Sequence, residues 1–122
     1  MANEITVSAT LLFAKGEIAS QGFQRTNKQF DVSGTKYVRG VQNIGTSPEA
    51  LGMGEIATPG WFFFLNLDAT NYVEILTGVA GSAFLKLKPK EFAMGRLPAS
   101  VTAPAAQANS AAVNLEYLVI ED

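Results

Sequence analysis

Between Trp61 and Ile75 the chain sets two strand-like runs on either side of a polar break, and no other stretch limits the possible fold as tightly. Trp61-Phe62-Phe63-Phe64-Leu65 is apolar at five successive positions, so an extended chain offers apolar side chains to both faces of a sheet. The run is too short for a buried helix, and its aromatic content suits a strand. Asp68-Ala69-Thr70-Asn71 follows, and such side chains bond their own backbone in turns. Tyr72 to Leu76 then continues in extended fashion. These residues predict a buried strand, a turn and its partner strand, around which the rest of the chain is organised.

The remainder reads as short strands with turn signals roughly every 8 to 12 residues, the spacing of sandwiches and barrels. From Ile5 to Phe13 every second residue is apolar (Ile5, Val7, Ala9, Leu11, Phe13), the period of a half-buried strand, with Leu12 as the exception. Lys15-Gly16 predicts a turn, Glu17 to Phe23 a second strand, Arg25 to Gln29 a polar break, and Phe30-Asp31-Val32 a short strand. Thr35 to Ile44 is strand-like, and its slipped alternation around Gly40 predicts a bulge. In Gly45 to Gly60, the piece Ser47 to Leu51 suits a single helical turn with Ser47 as N-cap and Pro48 at the first helical position. Ala83 to Lys88 and Glu91 to Leu97 read as strands joined at Pro89-Lys90. The alanine-rich Pro98 to Ala112 reads as an extended loop, because Pro98 and Pro104 limit any helix and no helical apolar stripe appears. Val113 to Ile120 closes as a central strand. With about eight strands and no long helix, the expected fold class is all-β: one antiparallel β-sandwich domain spanning residues 1–122, as a jelly roll.

A chain of 122 residues is long enough for one hydrophobic core. Only 16% of it is charged, against roughly 25% in ordinary domains. Part of the surface must therefore be uncharged or apolar, which hints at contact with other subunits. A net charge of -2 provides no field to gather nucleic acid or an anionic bilayer. The sequence contains no cysteine and no histidine, which removes Cys/His zinc sites, Ser-His-Asp and Cys-His nucleophile arrangements and the usual near-neutral proton shuttle. The expectation is a non-enzymatic protein with no cofactor and no nucleic-acid or membrane partner. Met1-Ala2-Asn3-Glu4-Ile5 lacks the basic start of a signal peptide, and the longest apolar run, Trp61 to Leu65, falls far short of the roughly 20 residues that span a bilayer. Synthesis in the cytoplasm is expected.

Four groups of residues invite a chemical reading. Asp68, Thr70, Asn71 and Glu74 could gather oxygen atoms for a calcium or magnesium ion, yet their spacing is not that of an EF-hand loop and an ordinary turn uses the same residues. As an acid/base pair, Asp68 and Glu74 show no sign of a shared cleft. Lys86, Lys88, Lys90 and Arg96 form the one basic cluster, suited to phosphate or to an acidic neighbour, or equally to a solvated strand face protected against edge pairing. Glu116, Glu121 and Asp122 are opposite in sign and available to pair with it. Gly45, Gly52 and Gly54 lack the Gly-Lys-Ser/Thr sequence of a phosphate loop. Trp61, Tyr37, Tyr72 and Tyr117 are candidates for stacking on sugars, although a Trp in a Phe-rich run belongs more often to a core. No catalytic, cofactor-binding or metal-ligating residue is assigned.

Three segments together carry a resemblance: Ala57 to Ile75, Phe84 to Ala93 and Ala111 to Glu121. Their order and spacing resemble small virion structural proteins of tailed bacteriophages, over roughly the C-terminal half of the chain. The resemblance implies a capsid decoration, or cement, protein that bridges capsid subunits, or else a tail or baseplate component. It also implies the major capsid protein or other virion proteins as partners, a homo-oligomer with a trimer favoured, and residence in the virion after synthesis in the host cytoplasm. It brings no catalytic residues. A carbohydrate-binding module for host attachment is the alternative.

Overall fold

The computed structural model describes residues 4–122, apart from the side chains of Ile18 and Ser20. The expectation for Met1 to Asn3 lies outside the described residues. Strands and turns make up the described chain, with no helix, and the strands pair antiparallel throughout. The all-β reading holds. The chain divides into two compact units, Met1–Ser33 and Gly34–Asp122, where the sequence reading places residues 1–122 in one sandwich.

The first unit is a β-hairpin of β1 (Ile5–Lys15) and β2 (Ile18–Phe30), which pair only with each other. Gly16 turns the chain with φ +57, a conformation that costs glycine little. The polar segment Arg25 to Gln29 does not interrupt the strand, as expected from sequence, but runs within β2. Exposure explains this: Arg25 to Gln29 are all exposed, so polar residues carry no burial penalty there. The irregularity is taken up by a register shift between Val7 and Ala9. Asn27 occupies it with φ 54, and its N–H donates to Ser8 Oγ at 2.9 Å. Asp31 and Val32 lie beyond the strand.

The second unit is a β-sandwich. Its strands are β3 (Tyr37–Ile44), β4 (Glu49–Ala50), β5 (Pro59–Asn66), β6 (Val73–Leu76), β7 (Ala83–Leu87), β8 (Phe92–Arg96), β9 (Ala105–Ala108) and β10 (Val113–Glu121). They form two four-stranded sheets, β3-β10-β5-β8 and β4-β9-β6-β7. Inward residues of both sheets meet in one core, including Ile44, Phe62, Phe64, Leu115, Tyr117 and Val119 from the first and Val73, Ile75, Leu87, Ala106 and Ala108 from the second. Each large apolar side chain among them contributes roughly 1.5–3 kcal/mol by leaving water. Phe62 and Phe64, two residues apart on one strand, stack with ring centroids 4.8 Å apart.

The predicted central hairpin is corrected. β5 and β6 are strands, but they belong to different sheets: β5 lies between β10 and β8, and β6 between β9 and β7. The break between them is a corner that carries the chain from one sheet to the other. Asn66, fully buried, holds that corner. Its Nδ2 donates to the carbonyls of Asn71 (2.9 Å) and Leu87 (3.0 Å), and its Oδ1 accepts the Asp68 N–H at 2.8 Å.

Other local expectations change as well. β3 pairs with β10 without a register shift, so Gly40 marks no bulge; the slipped alternation arises because β3 bears apolar residues on both faces. Ser47 to Leu51 makes no helical turn, since Glu49–Ala50 pairs with β9 as a short strand. The alanine-rich segment contains β9, fully buried at Ala105 and Ala106. Small side chains there allow a strand to be buried on both faces without swelling the core.

Candidate functional site

The corner suggested as a cation site is a self-contained turn. Asp68 Oδ2 accepts the N–H groups of Asn71 (2.6 Å) and Thr70 (3.0 Å) and the Thr70 hydroxyl at 3.2 Å. These main-chain bonds, that to Asn71 first, lower the Asp68 pKa below its ordinary 3.8. Asn71 Oδ1 accepts from Ser110 Oγ, and Glu74 sits on β6 in register with Lys86 and Gln107. Among the described residues, no group of three or more His, Cys, Asp or Glu is placed to hold a metal.

The basic cluster is dispersed by its partners. Lys86 Nζ stands 4.2 Å from the Tyr72 ring centroid, and Lys90 Nζ donates to the Leu67 carbonyl at 2.7 Å. Arg96 pairs with Asp122 at 3.0 Å, and its guanidinium lies over the Trp61 ring. The expected pairing of the basic cluster with the acidic end is thus realised at Arg96. Of the aromatic candidates, Tyr117 is buried, its hydroxyl donating to the Gly52 carbonyl at 2.9 Å. Burial raises its phenol above the ordinary 10.0. Gly52 N–H in turn donates to Gln42 Oε1 at 3.0 Å, so Gly52 serves to anchor the loop. Trp61 and Tyr72 are half-buried, and Tyr37 is 70% exposed.

Two surfaces that sequence reasoning did not locate emerge instead. The first is the outer face of β3-β10-β5-β8. The register places Val41, Glu116, Leu65 and Phe92 in one row across the four strands, and Arg39, Leu118, Phe63 and Met94 in the next. Phe63 and Phe92 stack across the strands at 5.7 Å. Val41 and Phe92, at 56% and 58% exposure, end the first row in open solvent. Glu116 is half-buried among them. No side chain of the described residues pairs with its carboxylate. The opposite sheet differs, since its outer face centres on the charged and polar set Glu74, Lys86 and Gln107.

The second surface is one face of the hairpin. Cross-strand partners share a face, so Ile5, Val7, Ala9, Leu11 and Phe13 lie with Phe30, Lys28, Arg25, Phe23 and Gln21. The other face carries Thr6, Thr10, Gln24 and Gln29, with Leu12 lying over Gly22. The strand alternation read from Ile5 to Phe13 is present, yet its apolar side is exposed rather than half-buried beyond Val7: Leu11 is 70% and Phe23 52% exposed. An apolar, solvated two-stranded sheet is marginal in water by itself, and exposed apolar faces of this kind mark contact sites. The low charge content was the one sequence signal for them.

Among the described residues, no helix is long and apolar enough to cross a membrane. No protein-family model, no curated protein and no solved structure matches this chain.

Proposed function

We propose that the chain is a non-enzymatic structural subunit of a tailed-bacteriophage virion, a capsid decoration protein that stabilises the head by bridging capsid subunits. The observation that carries this reading is the apolar outer face of β3-β10-β5-β8, opposed by a charged face on the other sheet. A two-sided sandwich of this kind suits seating on a protein surface with one side and facing water with the other. The strand orders β3-β10-β5-β8 and β4-β9-β6-β7 support a jelly roll as the finer fold in this reading. The resemblance of the C-terminal half to small virion proteins supports the phage context. Major capsid protein or other virion proteins are the partners in this reading, with a homotrimer as the assembled form and neither nucleic acid nor membrane required. The protein is made in the host cytoplasm and resides in the virion.

Quantitative mass spectrometry of purified particles tests the proposal. A copy number comparable with that of the major capsid protein supports decoration of the shell, a few copies place the protein in the tail or baseplate, and absence from particles removes the reading.

A further inference from the structure

We infer that two copies of this chain pair edge to edge through β3, antiparallel about Gly40, so that β3-β10-β5-β8 of one copy continues into the same sheet of the other. β3 lies at the edge of its sheet. Its register with β10 carries on to Glu121, whose N–H donates to the Lys36 carbonyl at 2.9 Å. Alternate residues of an antiparallel pair exchange both main-chain bonds, so Val38, Gly40, Gln42 and Ile44 turn theirs towards β10. The N–H and C=O groups of Tyr37, Arg39, Val41 and Asn43 therefore point out of the edge. None of them has a hydrogen-bond partner among the described residues.

Such a row is a template for another strand, and unbroken length selects which. β4 has two residues, β7 and β8 five each. In the hairpin, β1 and β2 pair with each other, and register shifts between Val7 and Ala9 and between Phe13 and Lys15 break the line. β3 runs eight residues without a shift, and the strand that matches it is β3 of a second copy. The register centred on Gly40 sets Tyr37 against Asn43 and Arg39 against Val41 of the partner subunit, and the reverse, so every outward main-chain group of both copies is paired. Centred on Arg39, the two guanidinium groups would stand directly opposed, which is unfavourable. Centred on Val41, Tyr37 would face Gly45, whose carbonyl already accepts from the Ala108 N–H. The contact is isologous; alone it gives a dimer, and with a three-fold assembly it joins two trimers. Absence from particles with the pairing intact would sink only the virion reading, and unpaired copies in particles would sink only this one.

The test uses the full chain and light scattering on eluting species. Wild type is expected at an even multiple of 13.0 kDa. Val41→Pro removes an N–H that points away from β10, so it is expected to halve that mass while the thermal unfolding of the sandwich is retained. Val41→Glu, set against Arg39 of the partner subunit, is expected to tighten the pairing, and Val41→Lys to weaken it by about tenfold, since each contact occurs twice. Gly40→Cys reads the register. Opposed residues that do not exchange hydrogen bonds have Cα atoms about 4.5 Å apart, within disulfide reach. The sequence holds no cysteine, and a Cβ at Gly40 meets no atom within 4 Å. A covalent pair is therefore expected on a non-reducing denaturing gel after oxidation. Should Val41→Pro lose the unfolding transition, Gly40→Cys decides alone. A wild type at an odd multiple, an unchanged mass for Val41→Pro, weaker pairing in Val41→Glu, or no covalent pair from Gly40→Cys would overturn the inference.

Discussion

The Asn66 side chain holds three main-chain groups at once, donating to the carbonyls of Asn71 and Leu87 and accepting from the N–H of Asp68. An apolar residue there would fill the space and strand all three. Asn66→Ala is therefore expected to lower stability by about 2–5 kcal/mol, read from the midpoint of a urea unfolding curve at constant slope. Two residues on, Asp68 acts through its charge. Its folded pKa lies below the ordinary 3.8, held there by the N–H groups of Asn71 and Thr70. The stability it supplies is present in full above the unfolded value and is lost as pH falls through the lower folded value. The melting-temperature gap between wild type and Asp68→Ala should thus be constant near neutrality and close on acidification below pH 3.8. A gap that persists in acid would mean that the turn does not depend on the ionised carboxylate.

At the scale of elements, β9 shows how little a strand needs to announce itself. Ala106 and Ala108 point into the shared core and are buried, and Ala106 lies in register with Ile75 and Glu49. Ala106→Leu inserts volume where neighbours on two strands leave none, and about 1–3 kcal/mol of destabilisation is expected from the same unfolding measurement. An unchanged midpoint would reveal a void beside β9. The strand was not legible because alanine has weak strand preference and its repeats carry no contrast between faces. By contrast, the alternation of Val113 to Ile120 announced β10 directly. Partner choice was hidden for a different reason. β5 and β6 are neighbours in sequence, and a turn such as Asp68 to Asn71 serves a hairpin and an inter-sheet corner equally well. Only pairing with the distant β8, β9 and β10 separates the two cases. The interaction surfaces were equally concealed: Ile5 to Leu11 and Val113 to Tyr117 alternate apolar with polar residues in the same way, and the sequence does not say which of the two is covered.

At the scale of the whole molecule, stability is distributed unevenly between the two units. The core cluster draws only on residues of Gly34–Asp122, so amides of β10 and β5 should exchange only through global unfolding. Those of Ile5–Lys15 and Ile18–Phe30 should exchange far faster. Exchange mass spectrometry reads both, and hairpin protection equal to that of β10 would contradict the uneven distribution. The order of β3-β10-β5-β8 has a consequence for synthesis. β3 and β5 are translated early, but each finds its shared neighbour only in β10, the last strand of the sandwich. At ~5–20 residues per second on the ribosome, the aromatic run of β5 stays without that neighbour for on the order of several seconds. The nascent sandwich must wait for its keystone, and during that wait it is a client for chaperones.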